Sequence, residues 1–526
     1  MNKSRLFAAA VIALPSLLLG ASIASAKEVS GPMTGSVPKA VCGAGDHTES
    51  GLQGQTTPPE RFSGDSKRAY NCNLQLVGQF QGEGNYSQDG PAYYGTCAYY
   101  GTDRVTALQQ HPGLTVIDAS DPQHPQASAY LTDSAAALSP HETPKVHTER
   151  GLLVVGQIGG PNFAVYDVSA DCRHPVLKSS INLPGSNGHQ GNFAPDGKTY
   201  YLTQNSFGIG AFLYIVDISD PSNPRQLPSW QYLGNGRPHE VWFNADGTRM
   251  YAGQPGLFGN PLPILGPGPN GLVIEDVSDY QFRRPNPQIR IISTLFWDDQ
   301  GTAEPMYPFS SRGRQYVVSA DESGGNGGVG GAPAACARGA SPHGYPNIID
   351  VTDETNPKIV AKLRLEVSDP ANCRLMLIDP PEAGGSIPGY NEERCVTDRP
   401  NNPTMLACAF QMAGLRVFDI RDLSNPKEIA YWKPGAVGTQ FLPGSLLWNA
   451  NANRTMDRVA GYPRFFIRNP GNGNANGNGN GAGTGNGNGA QLELWTVGAD
   501  NGFQILRFED QFQKANQDLL DDALGN

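Results

Sequence analysis

The sequence predicts an all-β fold for this chain of 526 residues, and three observations support that prediction. A short apolar run that ends in Asp and is followed by a turn recurs along the chain, with a degenerate last copy. Most copies are followed by a second short apolar run. The composition, with 64 Gly and 43 Pro, suits a chain built of many strands and turns.

Each copy of the repeat predicts one strand and one turn. Val, Ile, Leu and aromatic residues favour an extended strand. Asp and Ser can hydrogen-bond the backbone two residues further on, and Pro cannot continue a strand ladder, so the chain must turn there. The seven copies are Gly113–Pro122, Asn162–Ser169, Phe212–Pro224, Gly271–Ser278, Pro346–Asp353, Gly414–Asp422 and Gly502–Phe508.

The rest of each repeat supplies three more strands. A hairpin precedes the Asp motif, and its tight turn is clearest at Asp196-Gly197 and Asp246-Gly247. A further strand follows the motif, and these strands are predicted at 126–131, 176–183, 225–233, 288–295, 358–365 and 427–432. Four strands per repeat, named A to D in chain order, predict blades that cover one another's faces.

The two ends of the repeat region complete each other. The run Asn73–Phe80 has the pattern of a strand D without the rest of its blade, whereas the copy at 502–508 lacks a following strand. Pairing the two would close a ring and remove both sheet edges. The sequence therefore predicts a seven-bladed β-propeller with four-stranded blades, closed by an N-terminal strand.

The repeat resembles that of the bacterial LVIVD-repeat proteins, because Leu213–Asp217 reads Leu-Tyr-Ile-Val-Asp. The resemblance covers roughly residues 70–510. It implies membership of a secreted β-propeller family in which few activities are assigned.

The start of the chain has the layout of a secretory signal peptide. Lys3 and Arg5 precede an apolar run, and small residues occupy the positions before Lys27. Cleavage near Ala26 would make the protein secreted or periplasmic, and no later segment is long and apolar enough to span a bilayer. The predicted units are a signal peptide at 1–26, an irregular N-terminal arm at 27–67, the propeller at 68–510 with a disordered Gly/Asn loop at 469–490, and a C-terminal tail at 511–526.

Charge and cysteine content restrict the partners. A net charge of −11 without a Lys/Arg cluster argues against nucleic acid and anionic membranes. Eight cysteines in an exported chain predict disulfides and no free thiol. The pairing stays open, except that Cys395 and Cys408 fall on adjacent strands of one repeat and are predicted to pair. We expect a monomer whose partner is a small molecule or an extracellular polymer.

Three successive blades carry a histidine at the same position. Aligned on the hairpin turns, His141, His189 and His239 each start a strand A, and Glu304 takes that position in the next blade. Strand A is the innermost strand of a propeller blade, so these four side chains are predicted to form an arc around one mouth of the central channel.

Other polar residues fall beside this arc. The end of strand B lies next to the start of strand A, and it carries Gln157, Gln204 and Gln254 in the three histidine blades and Ser319 in the Glu304 blade. Glu142 and Glu240 directly follow two of the histidines. The glutamines could orient the imidazole rings, and the two glutamates are candidates for that role or for acid–base chemistry.

Three imidazoles and a carboxylate on one axis suit a single transition-metal ion such as Fe, Mn, Cu or Zn. The alternative is that these polar groups line a wet channel and bond loop backbones. The chain has no Gly-x-Ser-x-Gly, phosphate-loop or dinucleotide motif that would indicate other enzyme classes.

Two functions from different classes therefore remain. One is a metal-dependent oxidoreductase or hydrolase that acts on a small molecule at the channel mouth, and the histidine arc favours it. The other is a non-catalytic scaffold outside the cell or on its surface. The long polar insertions, and the lack of an equivalent histidine in blades 1, 6 and 7, favour the scaffold.

Overall fold

The predicted seven-bladed β-propeller is confirmed. The structure is a computed structural model that describes residues 35–82, 90–101, 111–140, 142–204, 211–232, 238–256, 269–325, 331–378, 389–436, 457–469 and 490–524. Its strands form seven antiparallel sheets, one for each blade. The A strands of successive blades contact each other from blade 1 to blade 6, so they line the central channel.

The first three blades follow the predicted A-to-D order. Blade 1 consists of Ala92–Tyr94, Cys97–Tyr100, Leu114–Asp118 and Gln126–Leu131. Blade 2 consists of Lys145–His147, Leu152–Gly156, Asn162–Asp167 and Val176–Asn182. Blade 3 consists of Gly188–Phe193, Thr199–Gln204, Phe212–Asp217 and a strand D in two pieces, Arg225–Gln226 and Trp230–Gln231. Its strand D was predicted as one run over 225–233, but Pro228 has no N–H for the ladder and interrupts it.

The remaining blades have the same layout. Blade 4 consists of Val241–Phe243, Arg249–Pro255, Asn270–Asp276 and Arg290–Phe296, and blade 5 of Ala303–Ser311, Arg314–Asp321, Asn347–Asp350 and Lys358–Lys362. Blade 6 consists of Arg394–Thr397, Met405–Ala409, Leu415–Asp419 and Lys427–Lys433. Blade 7 consists of Arg464–Arg468, Gln491–Gly498, Gly502–Phe508 and an N-terminal strand.

The ring is closed by that N-terminal strand, Leu74–Phe80. It pairs antiparallel with Gly502–Phe508, with Leu74 opposite Phe508 and Phe80 opposite Phe503. Just before it, Tyr70–Cys72 pairs with the outer strand of blade 6 and gives that sheet a fifth strand. The first strand closes the ring as predicted, and the second was not foreseen.

The Asp of each repeat forms the turn after strand C. Its Oδ1 accepts a hydrogen bond from the backbone N–H two residues further on, at 2.8 to 3.0 Å, in every copy that has the Asp. The six residues are Asp118, Asp167, Asp217, Asp276, Asp350 and Asp419. Their regular recurrence therefore reflects turn structure.

Hydrophobic residues fill the spaces between neighbouring blades. Between blades 3 and 4, Leu213 and Ile215 pack with Val241 and Met250 in one buried cluster. Equivalent clusters lie between the other pairs, and the last joins Phe503 and its neighbours to blade 1. Each blade is thus stable only with its neighbours present, as expected for a closed repeat fold.

Strand A starts and strand B ends on one face of the ring, which we call the mouth face. Because neighbouring strands are antiparallel, the B-to-C and D-to-A connections attach to this face as well. Two long connections, 322–346 and 363–393, attach here. The mouth face therefore carries the loops that could shape a binding site.

Helices in the part of the chain that is described are short and lie outside the sheets. The α-helices are Pro58–Ser63, Ala135–Leu138, Ser278–Gln281, Gly331–Ala337, Cys373–Ile378, Asp510–Ala515 and Gln517–Leu524, and the 3-10 helices are Asp65–Lys67, Glu366–Ser368 and Pro370–Asn372. Two of the α-helices lie in the predicted tail and one in the predicted arm. Most of the predicted Gly/Asn loop and all of the predicted signal peptide fall outside the described residues.

The N-terminal arm docks on blade 6 through buried charges. The Glu49 carboxylate contacts the Arg416 guanidinium and lies 2.9 Å from Lys433 Nζ. Lys433 Nζ also donates to the Gly54 and Gln55 carbonyls. Burial lowers the pKa of Lys433, and Glu49 partly offsets that effect.

All eight cysteines form disulfides, as predicted. The pairs are Cys42–Cys72, Cys97–Cys172, Cys336–Cys373 and Cys395–Cys408. The predicted pair joins directly opposed residues of strands A and B in blade 6. These bonds are consistent with an extracellular or periplasmic location.

Candidate metal centre

The sequence-predicted ligands lie where the A strands start. His189 is in strand A of blade 3, His239 lies just before strand A of blade 4, and Glu304 is in strand A of blade 5. All three side chains are buried. His141 is outside the described residues.

His239 belongs to two groups of possible ligands. Donor atoms of Glu142, His189 and His239 lie within 4.8 Å of one another, and the same holds for His239, Glu304 and Glu322. His239 Nε2 is 3.2 Å from Glu304 Oε1 and 3.9 Å from Glu322 Oε2. The rings of His189 and His239 are perpendicular, with centroids 4.6 Å apart. Two imidazoles and up to three carboxylates therefore converge near the mouth face.

Arg394 holds two of these carboxylates from the opposite side. It is the first residue of strand A in blade 6 and is fully buried. Its Nη2 is 2.9 Å from Glu142 Oε2, and its Nη1 contacts Glu304 Oε2. Because Arg394 engages Oε2 of Glu304, the other oxygen is directed at His239.

A second charged layer lies deeper in the channel. Glu240 accepts a hydrogen bond from the Tyr462 hydroxyl at 2.8 Å and lies 3.3 Å from Lys145 Nζ. Burial lowers the pKa of Lys145, and Glu240 partly offsets this. Burial and the Glu240 charge raise the pKa of Tyr462 well above its ordinary value. Glu240 is thus held by Tyr462 and Lys145, and it belongs to neither histidine group.

The Tyr462 ring contacts side chains from several blades at this level of the channel. Lys145 of blade 2 lies 4.8 Å from its centroid, and Arg394 of blade 6 lies 5.6 Å from it. Trp242 of blade 4 donates from Nε1 to the Tyr462 hydroxyl at 3.3 Å, and its ring packs on Tyr307 of blade 5. Side chains from blades 2, 4, 5 and 6 therefore meet in one layer of the channel next to the candidate centre.

Buried acids and a histidine stand next to the centre. Burial raises the pKa of Asp321 to about 7, although four backbone N–H groups donate to its carboxylate. Burial also raises the pKa of Glu392, whose Oε2 accepts the Asp321 N–H at 3.3 Å. Burial lowers the pKa of His343 to about 4, which keeps its ring neutral at pH 7.

The predicted supporting glutamines make local contacts. Gln157 accepts a hydrogen bond from the Asn162 side chain, and Gln204 accepts one from the Phe212 backbone at 2.6 Å. Both contacts bridge the start and end of a B-to-C connection. Gln254 is buried at the end of strand B in blade 4.

The pairing predicted for blade 5 is wrong. Ser319 was expected beside Glu304, but it pairs with Met306. The register shifts between Ala303 and Met306, so Ala303 lies opposite Asp321 and Glu304 faces Glu322 near the strand end. A β-bulge of this kind re-aims side chains and cannot be read from hairpin offsets.

Sequence reasoning missed Glu322, Lys145, Arg394 and Tyr462. One signal was present, because the charged run Glu392-Glu393-Arg394 directly precedes an apolar strand in a blade that lacks the histidine. The other three residues carry no pattern of their own. Lys145 and Tyr462 meet Glu240 from blades far apart in the sequence.

Two further groups of possible ligands contain disulfide cysteines. These are Asp46 with the Cys42–Cys72 bond and Glu392 with the Cys395–Cys408 bond. A disulfide sulfur is not a thiolate and does not serve as a metal ligand. The groups around His239 are therefore the candidate centre.

The LVIVD repeat family model matches residues 209–229, which include the strand Phe212–Asp217 of blade 3. The chain is a β-propeller that carries an LVIVD repeat. No curated protein matches this LVIVD-repeat propeller. Among its described residues, no helix is long and apolar enough to cross a membrane.

Several solved structures are similar to this LVIVD-repeat propeller at low identity. Saccharomyces cerevisiae Sqt1 matches with 10% identity and a TM-score of 0.44, over 82% of this chain and 98% of that one. The β-propeller domain of Myceliophteria thermophila Cps50 (Swd1) matches with 8% identity and a TM-score of 0.47, over 83% and 100%. A protein from Lactobacillus plantarum matches with 10% identity and a TM-score of 0.42, over 66% and 87%. The pairing of the strands in seven sheets establishes the fold.

Proposed function

We propose that this propeller is an exported, monomeric, metal-dependent enzyme, an oxidoreductase or hydrolase that acts on a small molecule at the mouth face. The observation that carries the proposal is that His239 belongs to two groups of possible ligands, one with Glu142 and His189 and one with Glu304 and Glu322. Export rests on the predicted signal peptide with cleavage near Ala26, and the four disulfides support it.

The distances between donor atoms suit one ion. Ligands bound to a common Zn or Fe ion at about 2.1 Å lie about 3–4 Å apart. The separations of 3.2 and 3.9 Å between His239 Nε2 and the two carboxylates fall in that range. Both zinc hydrolases and non-haem iron oxygenases bind their metal through two histidines and one carboxylate. The set therefore fits either reaction class, and the identity of the ion would decide between them.

Charge supports a divalent cation. Glu142, Glu240, Glu304 and Glu322 bring four negative charges, whereas Lys145 and Arg394 bring two positive ones. With neutral imidazoles, these six side chains carry two net negative charges. Buried charge is costly unless it is balanced. One divalent ion would balance this group.

The side chains around the ion have separate tasks in this proposal. A bound metal ion would supply Lewis acidity and lower the pKa of a bound water or substrate group. Arg394 fixes Glu142 and Glu304 through Oε2 of each. The layer of side chains around Tyr462 would bound the site on the side away from the mouth face.

Elemental analysis tests the proposal. The mature protein, purified without a His tag or chelator, should hold one transition-metal ion per chain. His189→Ala should lose that ion and still fold, because a residue at the channel contributes little to the packing between blades. His174→Ala is the matched control, since it removes an exposed imidazole that pairs only with Asp171.

Two further variants locate the ion. Glu142→Gln should release it if it sits with His189, and Glu322→Gln should release it if it sits with Glu304. If wild type holds no stoichiometric metal, or if His189→Ala holds as much as His174→Ala, the enzyme proposal fails. The propeller would then be a non-catalytic scaffold for a small molecule or an extracellular polymer.

A further inference from the structure

The repeat of blade 4 differs from the other six at one core position. The residue just before the motif Asp, or before its equivalent in the last copy, is apolar or aromatic and fully buried in six blades. These residues are Ile117, Tyr166, Val216, Ile349, Phe418 and Leu506. Blade 4 has Glu275 there, and its exposed fraction is only 1%. A carboxyl group thus occupies a core position between blades 3 and 4.

This glutamate is costly to keep where it is. Burial raises the pKa of Glu275 to about 8, and the hydrogen bond from the Tyr232 hydroxyl at 3.0 Å offsets this only in part. A Val or Ile at the same place would fill the space without that cost, as it does in other blades. Residues whose type does not suit their position in the fold are concentrated at functional sites.

A cleft opens at Glu275. It has a volume of about 680 Å³ and is lined by Trp230, Tyr232 and Tyr280 as well as by Glu275. Pro228, which interrupts strand D of blade 3, also lines the cleft. Its volume is in the range of small-molecule binding sites.

The lining has the chemistry of a site for a cation. Three aromatic residues and one glutamate line the same space, and among the described residues that line it none is Lys or Arg. Aromatic faces attract organic cations, most strongly where water is excluded. A bound cation beside Glu275 would stabilise its charged form, which burial alone disfavours.

The geometry points to a binding site for a small organic ammonium ion, in which Trp230, Tyr232 and Tyr280 surround the cation and Glu275 pairs with it. The site lies on the outer edge of blades 3 and 4, apart from the channel. It is independent of the metal centre, because it shares no residue with either group of ligands.

A pair of isosteric probes tests the charge requirement. Choline and 3,3-dimethyl-1-butanol have nearly the same shape, but only choline carries a positive charge. Calorimetry on the full chain should show saturable binding of choline, and binding of the neutral alcohol should be at least about tenfold weaker. n-Butylammonium copies the tip of a lysine side chain. Tighter binding of n-butylammonium would indicate a protein-borne ammonium, and tighter binding of choline a free one.

Variants at Glu275 separate a ligand-binding role from a structural one. Glu275→Gln keeps the shape and should weaken choline binding at least about tenfold. Glu275→Val restores the residue type of the other repeats and should abolish binding while raising the thermal midpoint. Glu354→Gln is the control, since Glu354 pairs with Arg249 outside the cleft; its binding should match wild type.

Three results would overturn the proposal. The first is equal binding of choline and the neutral alcohol, which would indicate a merely apolar cleft. The second is no saturable binding of either ammonium ion. The third is a lower thermal midpoint in Glu275→Val together with unchanged choline binding in Glu275→Gln, which would make Glu275 a structural partner of Tyr232.

Discussion

Arg394 is the residue that links the two halves of the candidate centre. It contacts Glu142 of blade 2 and Glu304 of blade 5, and it is itself in blade 6. Its guanidinium fixes which oxygen of Glu304 faces His239. A carboxylate held in this way loses less freedom when it binds an ion.

Replacing Arg394 should therefore weaken metal binding without removing a ligand. Arg394→Gln is expected to lower the affinity for the ion about 10–100-fold, the usual effect of losing a group that orients a ligand. Titration of the metal-free protein with Zn²⁺ measures this. Arg458→Gln is the control, because Arg458 is equally buried but pairs with Glu393. Equal affinities in the two variants would contradict the role given to Arg394.

The sequence predicted only some of the residues in the candidate site. Equal offsets from the hairpin turns put His189, His239 and Glu304 at the start of strand A, and the structure has them there. Ser319 was misplaced, because a bulge in blade 5 shifts the register. Glu275 could have been found by comparing the copies position by position, since the sequence alone shows it to be the exception.

At the scale of single elements, the closing strand offers a direct test. Leu74 is fully buried in the core of blades 6 and 7, whereas Leu76 on the same strand is 39% exposed. Leu74→Ala should lower the free energy of unfolding by about 2–5 kcal/mol, and Leu76→Ala by less than about 1 kcal/mol. Urea unfolding of both variants checks the difference. Equal losses would mean that the strand does not close the ring.

Glu275 should make stability depend on pH. Its pKa is about 8 in the folded protein against 4.5 as the ordinary value. The folded state favours the protonated form of Glu275. The stabilisation from that form is therefore fully present below pH 4.5 and is lost as the pH rises through 8. Between pH 4.5 and pH 8, the free energy of unfolding of wild type should fall by a few kcal/mol relative to that of Glu275→Gln. Unfolding curves from pH 4.5 to 9 measure this, and a constant difference between the two proteins would contradict it.

Strand positions were predictable where the repeat is regular. The predicted strand 126–131 of blade 1 matches the observed Gln126–Leu131. The predicted strand at 225–233 ignored Pro228, which divides it. The strand Tyr70–Cys72 could not be foreseen, because it joins an edge of blade 6 that is formed more than 300 residues later.

At the scale of the whole molecule, disulfides join parts that are distant in sequence. Cys97–Cys172 links blade 1 to the C-to-D turn of blade 2 across 75 residues. Closing a loop of that length restricts the unfolded chain and stabilises the fold by about 4 kcal/mol. Such a bond persists in an oxidising compartment, which is consistent with an extracellular or periplasmic location.

The paired cysteines predict a clear chemical result. A thiol reagent should label none of the eight cysteines in denatured, unreduced protein, because every one is in a disulfide. Mass spectrometry counts the labels, and the same protein after reduction is the positive control. Two or more labelled cysteines without reduction would contradict the predicted pairing.

The number of blades followed from the sequence because a closed ring admits only whole repeats. Seven motif copies and two complementary half-blades at the ends leave one arrangement without a free sheet edge. The contents of the channel did not follow. The side chains in the channel depend on which residues of opposite blades meet on the axis, and the repeat pattern carries no information about those contacts.

The layer of side chains around Tyr462 has a consequence for how the proposed enzyme would work. Side chains from blades 2, 4 and 6 meet on that ring, so substrate entry and product exit would share the mouth face. A bound product would then block the next substrate until it leaves, and added product should slow turnover.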